Sequence, residues 1–192
     1  MELSSFQIAW DYFQLGYTHV IPLGYDHILF ILGVFLLNSH LKSVIIQCSV
    51  FTLAHSITLG LTATGFLMPD SRIIEPMIAI SILFVAIENI FHNKINAWRL
   101  IIIFFFGLIH GMGFANAIKD IGLSKTYFLG SLLFFNIGVE FGQITIILSA
   151  YLLIAKWFGK KEWYNKRIVY PVSSLIGCIA LYWTIERIFF AS

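Results

Sequence analysis

The sequence is poor in charged residues. Asp, Glu, Lys and Arg make up 11% of its 192 residues, whereas a soluble domain carries roughly 25%. Because a soluble domain needs a charged surface toward water, this shortage argues against a water-soluble protein. The formal net charge is only +2, and no basic face is interleaved with aromatic residues. The composition therefore also argues against nucleic acid as a partner.

Cysteine is scarce as well. The chain has two cysteines, Cys48 and Cys178, and each lies in an apolar run. They do not form the spacing of a zinc-finger or redox motif, which argues against a disulfide framework and against a thiolate metal site. We interpret both as apolar packing residues.

Apolar sequence is abundant instead, since hydrophobic residues account for 59% of the chain. A helix needs about 20 apolar residues to cross the hydrocarbon core of a bilayer. Six runs approach or exceed this length, approximately residues 24–39, 43–67, 73–91, 98–118, 127–158 and 168–190. The sequence therefore predicts an all-α fold: a polytopic membrane helix bundle of about six transmembrane helices, forming one integral membrane domain over residues 1–192.

A short helix is also predicted before the first run. Aromatic residues recur there at helical spacing, and polar residues fall on the opposite face. The aromatic positions are Phe6, Trp10, Phe13 and Tyr17, and the polar ones are Gln7, Asp11 and Gln14. This pattern is typical of a helix that lies in the membrane interface, and an irregular lead-in segment is the alternative.

The distribution of Lys and Arg predicts the orientation, because these residues accumulate in cytoplasmic loops. One side of the predicted bundle holds Lys42, Lys94, Arg99, Lys156, Lys160, Lys161, Lys166 and Arg167. The other side holds Arg72, Lys119, Lys125 and Arg187. The first side is therefore predicted to be cytoplasmic. We expect the protein in the bacterial inner (cytoplasmic) membrane, with both termini outside.

Several ionisable residues lie inside the predicted spans. An Asp, Lys or Arg in mid-span costs at least ~2.5 kcal/mol, so intramembrane ionisable residues suggest a functional site. His55 and His110 each lie about 18 Å from the inner end of their run, at about 1.5 Å per residue. Glu140 lies about 20 Å from the outer end of the fifth run. These three residues are therefore predicted near the middle of the membrane.

A second group of polar residues lies nearer the outer surface. His19, Asp26 and His27 flank the start of the first span, and Glu75 opens the third. Structural roles are alternatives here, since Asp26 could cap a helix and Glu75 could interact with a helix dipole. With the mid-depth residues, this group predicts a polar path from the outer face toward the centre.

Imidazole and carboxylate together are suited to divalent transition metals such as nickel or zinc. We therefore predict a metal site with His19, Asp26, His27, His55, His110 and Glu140 as candidate ligands. Candidates for a supporting shell or a path are Ser56, Glu75, Glu88, Asn136 and Gln143. The alternative for a single buried histidine is a structural hydrogen bond to helix backbone. Besides a metal ion, the sequence allows membrane lipid and a second copy of the chain as partners.

Five blocks of the sequence resemble the HupE/UreJ family of bacterial membrane proteins. They read GYTHVIPLGYDHILF over residues 16–30, FTLAHSITL over 51–59, EPMIAIS over 75–81 with Glu88 and Asn89 after it, FGLIHGMGFA over 106–115, and FNIGVEFGQ over 135–143. The blocks are more similar to the second, broader branch of the family, whose members need not accompany hydrogenase or urease.

The resemblance implies a secondary permease for nickel or a related divalent metal. On that basis the residues to carry over are His19, Asp26, His27, His55, Glu75, His110 and Glu140. The alternative hypothesis is an intramembrane zinc-dependent hydrolase that uses the same residues as ligands, in which zinc with an open coordination position activates water. A metal-sensing or partner-binding subunit is a third, weaker hypothesis.

Overall fold

A computed structural model describes residues 5–37, 40–92, 98–114 and 127–190 of the chain. Within these ranges the chain is helical and contains no strand. The helices are α1 (Ser5–Val20), α2 (Tyr25–Leu37), α3 (Leu41–Ala63), α4 (Ser71–Phe91), α5 (Trp98–Gly113), α6 (Phe128–Phe158) and α7 (Asn165–Phe189). The structure confirms the predicted helical bundle.

Fewer than six helices in the described ranges meet the length and hydropathy expected of a membrane span. Four helices, α3, α4, α6 and α7, are individually long and apolar enough to cross a membrane. Helices α1 and α2 pass the same test only together, as a pair bent by 67° at a short break. Helix α5 is apolar but has 16 residues, and the part of its predicted span beyond Phe114 lies outside the described residues. By length and composition, the described chain therefore has four spans, or five with the bent pair.

Glycines bring α3 and α5 into close contact along their length. A Cβ on Gly107 would lie 2.5 Å from the carbonyl oxygen of Phe51, and one on Gly111 would lie 2.3 Å from that of His55. Thr58 Oγ1 donates across the same interface to the carbonyl oxygen of Leu108 at 2.8 Å. The contacts advance in the same direction along both chains, so the two helices run parallel.

Helix α1 also packs closely against α6 at glycines. A Cβ on Gly16 would lie 1.9 Å from the carbonyl oxygen of Phe135, and one on Gly138 would lie 2.1 Å from that of Phe13. Small residues of this kind permit close approach of membrane helices. The helix predicted around residues 6–17 therefore forms, and in addition to its exposed Phe6 it has a face packed into the bundle.

Helices α4 and α7 run antiparallel on the other side of the bundle. Asn89 near the end of α4 contacts Ser173 near the start of α7, while Glu75 at the start of α4 contacts Arg187 at the end of α7. We call the end of the bundle with Glu75 and Arg187 the outer end and the opposite end the inner end, following the orientation predicted from Lys and Arg.

Candidate metal site

The break between α1 and α2 places two histidines side by side. His19 lies in the last turn of α1, and Asp26 and His27 lie in the first turn of α2. The 67° bend between these helices turns the end of one toward the start of the other, and the His19 and His27 rings have centroids 4.7 Å apart. Discontinuous helices of this kind form ion-binding sites in membrane transporters.

His55 of α3 completes a group of three imidazoles. One ligand nitrogen each from His19, His27 and His55 lies within 4.8 Å of the other two. Nitrogens around a tetrahedral zinc are about 3.4 Å apart, as follows from bonds of about 2.1 Å. The three nitrogens therefore need to approach one another by no more than about 1.4 Å to share one ion.

Four of the six ring nitrogens of this group are buried and lack hydrogen-bond partners among the described residues. They are Nε2 of His19, Nε2 of His27 and both nitrogens of His55. A buried polar group without a partner costs about 1–3 kcal/mol. Because an imidazole binds a metal through a free nitrogen lone pair, the residues present fit a metal ion.

His110 of α5 lies next to this group and is oriented by Ser81 of α4. Its ring centroid is 5.2 Å from that of His27, and its Nε2 lies 2.9 Å from Ser81 Oγ. Since Ser81 donates its own hydrogen to the carbonyl oxygen of Ile78 at 2.7 Å, His110 Nε2 donates to Ser81. This leaves Nδ1 of His110, which has no hydrogen-bond partner in the described chain, as an acceptor for a metal.

A layer of three phenylalanines, which we call the aromatic floor, lies one helical turn toward the inner end from the histidines. Phe30 follows His27 on α2, while Phe51 and Phe106 precede His55 and His110 on α3 and α5. The Phe30 and Phe51 rings are 4.8 Å apart, and those of Phe30 and Phe106 are 6.1 Å apart. Phe30 and Phe51 are both 1% exposed, so the floor closes this side of the site.

Toward the outer end, an arginine contacts the carboxylates of Asp26 and Glu75, which we call the mouth of the site. Arg187 of α7 donates through Nη2 to both carboxylate oxygens of Asp26, at 3.0 and 3.1 Å. Its Nη1 lies 3.1 Å from the Glu75 carbonyl oxygen and 3.5 Å from Glu75 Oε2. The Asp26 carboxylate is thus paired with Arg187, although the residue adjoins His27 in the chain.

A cavity of about 370 Å³ connects the mouth with the histidines. Its lining includes Asp26 and Glu75 of the mouth together with His19, His27 and His110. Apolar side chains such as Ile78 and Phe114 form much of the remaining wall. A cation entering from the outer end would pass the carboxylates before it reached the imidazoles.

Two other candidates lie apart from the imidazoles. The Glu140 carboxylate on α6 accepts a hydrogen bond from Ser49 Oγ of α3 at 2.7 Å. Ser56 follows His55 in the chain, but its hydroxyl donates to the carbonyl oxygen of Thr52 at 2.6 Å. The structure therefore does not bring either side chain into the histidine group.

The supporting candidates on α6 are both buried or partly buried. Asn136 lies beside His55, and its Nδ2 donates to the carbonyl oxygen of Leu132 at 2.7 Å. The Asn136 side-chain oxygen has no hydrogen-bond partner among the described residues. Gln143 is 0% exposed, and neither of its side-chain polar atoms has a partner among the described residues.

Glu88 belongs to a separate polar cluster near the inner end. Its carboxylate forms an ion pair with Arg99 of α5, whose side chain is 2% exposed. Arg99 Nε also donates to Gln47 Oε1 of α3 at 2.7 Å. These contacts join α3, α4 and α5 on the inner side of the aromatic floor.

Sequence reasoning missed Ser81 as a site residue and treated Arg187 only as an outer charge. Ser81 falls on the buried face of α4, at helical spacing with Ile74, Ile78 and Val85. A polar residue on such an apolar stripe is a usable signal. Arg187 gave no comparable signal, because its partners Asp26 and Glu75 are far away in the sequence.

Comparison with known proteins identifies the family. The family model described as HupE / UreJ protein matches residues 2–187. No curated protein and no solved structure gives a significant match. The match confirms the resemblance carried by the five sequence blocks and extends it over α1 and α7. The chain belongs to the HupE/UreJ family.

Proposed function

We propose that this protein transports a nickel-type divalent cation across the membrane and binds it in transit through His19, His27 and His55. The observation that carries the proposal is the meeting of three imidazoles from α1, α2 and α3, with ligand nitrogens within 4.8 Å of one another. The family to which the chain belongs is associated with nickel and cobalt transport.

The donor set supports a borderline transition metal as the substrate. Imidazole suits nickel, zinc and copper, whereas magnesium and calcium prefer oxygen ligands. His110 lies beside His27 but outside this group of three; its ring is held by Ser81, and its Nδ1 can add a fourth nitrogen to the ion. Asp26 can add an oxygen ligand if its carboxylate leaves Arg187. Glu140 takes no part in this proposal, because its carboxylate is bonded to Ser49.

The arrangement of the cavity supports an outward-open state of the transporter. The cavity reaches the histidines from the side of Asp26 and Glu75. On the other side, Phe30 and Phe51 close the way to the inner end. Transport then requires a second state in which the aromatic floor separates, as alternating access demands.

One feature also favours the intramembrane hydrolase. Three histidines with an open fourth position form the ligand set of some catalytic zinc sites, and the cavity beside His19 and His27 has room for water and a substrate. Ser56 does not assist such a reaction in this arrangement, because its hydroxyl is bonded to Thr52. Flux of the metal distinguishes the two functions.

The first test is uptake of radioactive nickel into proteoliposomes, combined with metal analysis of the purified protein. We expect His55→Ala and His27→Ala each to abolish both uptake and metal retention, because each removes one of three ligands. His55→Gln keeps a side chain of similar length and should fail in the same way. His92→Ala is the matched control, since His92 is an exposed residue at the inner end of α4.

Size-exclusion profiles and helix content of all variants should match the wild type, so that loss of metal is not loss of fold. Retention of the wild-type amount of metal by both alanine variants would refute the ligand assignment. Tight binding by the wild type without any flux would refute transport and support the hydrolase.

A further inference from the structure

A second cavity lies at the inner end of the bundle, away from the histidines. It measures about 450 Å³, within the range of roughly 300–1,000 Å³ usual for small-molecule sites. It lies between the end of α2 and the connection from α6 to α7. The lining residues are Leu36, Leu37, His40, Tyr151, Ala155, Lys156, Gly159, Lys160, Tyr164 and Asn165.

The backbone around this cavity is irregular on both sides. Residues Tyr151–Ala155 at the end of α6 and Asn165–Val169 at the start of α7 wind as π-helices. Each π-helical segment contributes to the lining, through Tyr151 and Ala155 on one side and Asn165 on the other. Single π-helical turns in membrane and soluble helices are frequently found at functional sites.

The charge at this cavity is positive. The segment 156–167 contains five basic residues and Glu162 as its only acid, which gives a formal charge of +4. Lys156 and Lys160 line the cavity itself, and both are exposed. In the described chain neither ammonium group lies within ion-pair distance of a carboxylate. The cavity therefore presents two lysines for an anion.

Aromatic residues place the same segment at the level of lipid head groups. Trp157 is 64% exposed and Phe158 is 39% exposed, and the Lys156 ammonium lies 5.5 Å from the centre of the Trp157 ring. Exposed tryptophans next to lysines at a helix end are typical of the membrane–water interface. Leu36 and Leu37 add an apolar wall to the cavity, so a ligand here meets cations and hydrocarbon together.

We propose that this cavity binds the phosphate of an anionic phospholipid head group, with Lys156 and Lys160 as the phosphate ligands. The apolar wall favours a lipid over free phosphate, because it can contact the glycerol and the first acyl carbons. Basic pockets between membrane helices on the cytoplasmic side bind head groups by this combination. The site is separate from the metal path and does not depend on the proposed transport.

The test uses the purified, delipidated full chain and native mass spectrometry with phosphatidylglycerol or phosphatidylcholine. We expect one retained phosphatidylglycerol and a clear preference over phosphatidylcholine. Lys156→Gln/Lys160→Gln should weaken that binding about 30-fold, which corresponds to about 1 kcal/mol per lysine at a charged lipid surface. Lys156→Arg/Lys160→Arg keeps both charges and should retain the lipid.

Lys161→Gln is the matched control, because Lys161 neighbours Lys160 in the chain but does not line the cavity. It should bind phosphatidylglycerol like the wild type. A third arm adds inorganic phosphate at millimolar concentration, which should not displace the lipid. The proposal is overturned if both lipids bind equally, if the double glutamine variant binds like the wild type, or if phosphate alone competes fully.

Discussion

The histidines of the outer half differ from two polar side chains of the inner half, Arg99 and Asn89, in the partners that their buried polar atoms have. In the outer half, nitrogens of four histidines lie in the interior without hydrogen-bond partners in the described chain, and a cavity reaches them. In the inner half, buried Arg99 is held through Nη1 by Glu88 and through Nε by Gln47, while its Nη2 has no hydrogen-bond partner in the described chain. The Asn89 amide there donates to Gly33 and Ser173 at 2.8 and 3.1 Å.

The unpartnered histidines are expected to bind a ligand, whereas the paired side chains of the inner half are expected to stabilise the fold. Unpartnered buried imidazoles cost free energy unless a ligand binds them. The inner contacts instead join helices to one another, and no cavity is needed to explain them. The comparison therefore predicts that changes in the outer half affect metal first, and that changes in the inner half affect stability first.

The largest effect on stability is expected from the inner ion pair. Arg99→Met leaves the Glu88 carboxylate, which is 16% exposed, without its cation. Breaking a buried pair costs about 3–5 kcal/mol, and the partial exposure of Glu88 favours the lower figure. The free energy of unfolding, measured by detergent titration in mixed micelles, should fall by about 3 kcal/mol. The metal content of the folded fraction should not change.

The double variant Arg99→Met/Glu88→Gln tests whether the pair itself is responsible. It should regain much of the lost stability, because replacing both partners removes the uncompensated charge. Arg167→Met is the control, since Arg167 is an exposed arginine at the same end and stacks on Trp163 at 5.6 Å. Its loss should cost at most about 1 kcal/mol. Equal losses in all three variants would contradict a structural role specific to the pair.

The second effect is expected in the outer half, at Ser81. Ser81→Ala removes the hydrogen bond that orients His110, and loss of such a supporting contact lowers metal affinity about 10–100-fold. The free energy of unfolding should fall by about 1–3 kcal/mol, because the buried Nε2–H of His110 loses its acceptor. The measurement is a competition titration with a metallochromic chelator.

Ser131→Ala provides a matched control for Ser81. Ser131 is also 0% exposed, but its hydroxyl has no hydrogen-bond partner in the part of the chain that the structure describes. Its affinity for metal should equal that of the wild type. If both serine variants weakened binding alike, the effect would come from packing and not from the orientation of His110.

Much of this comparison was predictable from the sequence, because depth follows from helix geometry. His55 and His110 lie at similar distances from the inner ends of their helices, and parallel α3 and α5 bring them to one level. The small residues around them, Gly107 and Gly111, indicated close packing that the structure now shows. Helix periodicity and the rise per residue were sufficient for these inferences.

The facing of α6 was not predictable to the same precision. Asn136, Glu140 and Gln143 share one stripe of the helix, and the sequence predicted a common role. In the structure, Asn136 lies beside His55 of α3, whereas Glu140 of the same stripe contacts Ser49 of α3. A stripe is at least about 100° wide, so periodicity cannot decide which neighbour each member of it meets.

The sequence also could not give the angle between α1 and α2, although it placed polar residues on both sides of the break. That angle depends on how α1 packs against α6, through contacts between segments more than a hundred residues apart. The position of Arg187 depends on similar long-range packing of α7 against α4. Local patterns carry no information on such contacts.

The smallest effect is expected at the mouth of the cavity. Asp26, Glu75 and Arg187 carry a formal charge of −1 together, and Arg187→Gln changes it to −2. A divalent ion about 8 Å from one extra negative charge in water gains about 1 kcal/mol. The half-saturating nickel concentration for uptake should therefore fall about fivefold at low ionic strength.

Salt separates this electrostatic effect from a structural one. At about 0.15 M salt, where the screening length is about 8 Å, the gain of Arg187→Gln should shrink, while Arg187→Lys should behave like the wild type at both salt concentrations. Arg72→Gln is the control for general surface charge, because Arg72 is 77% exposed and pairs with Asp70. The hydrogen bonds that Arg72 donates to the Asp70 carboxylate lower the pKa of Asp70. An equal shift in both glutamine variants, or a shift that salt leaves unchanged, would show that Arg187 does not control the charge that an entering cation meets.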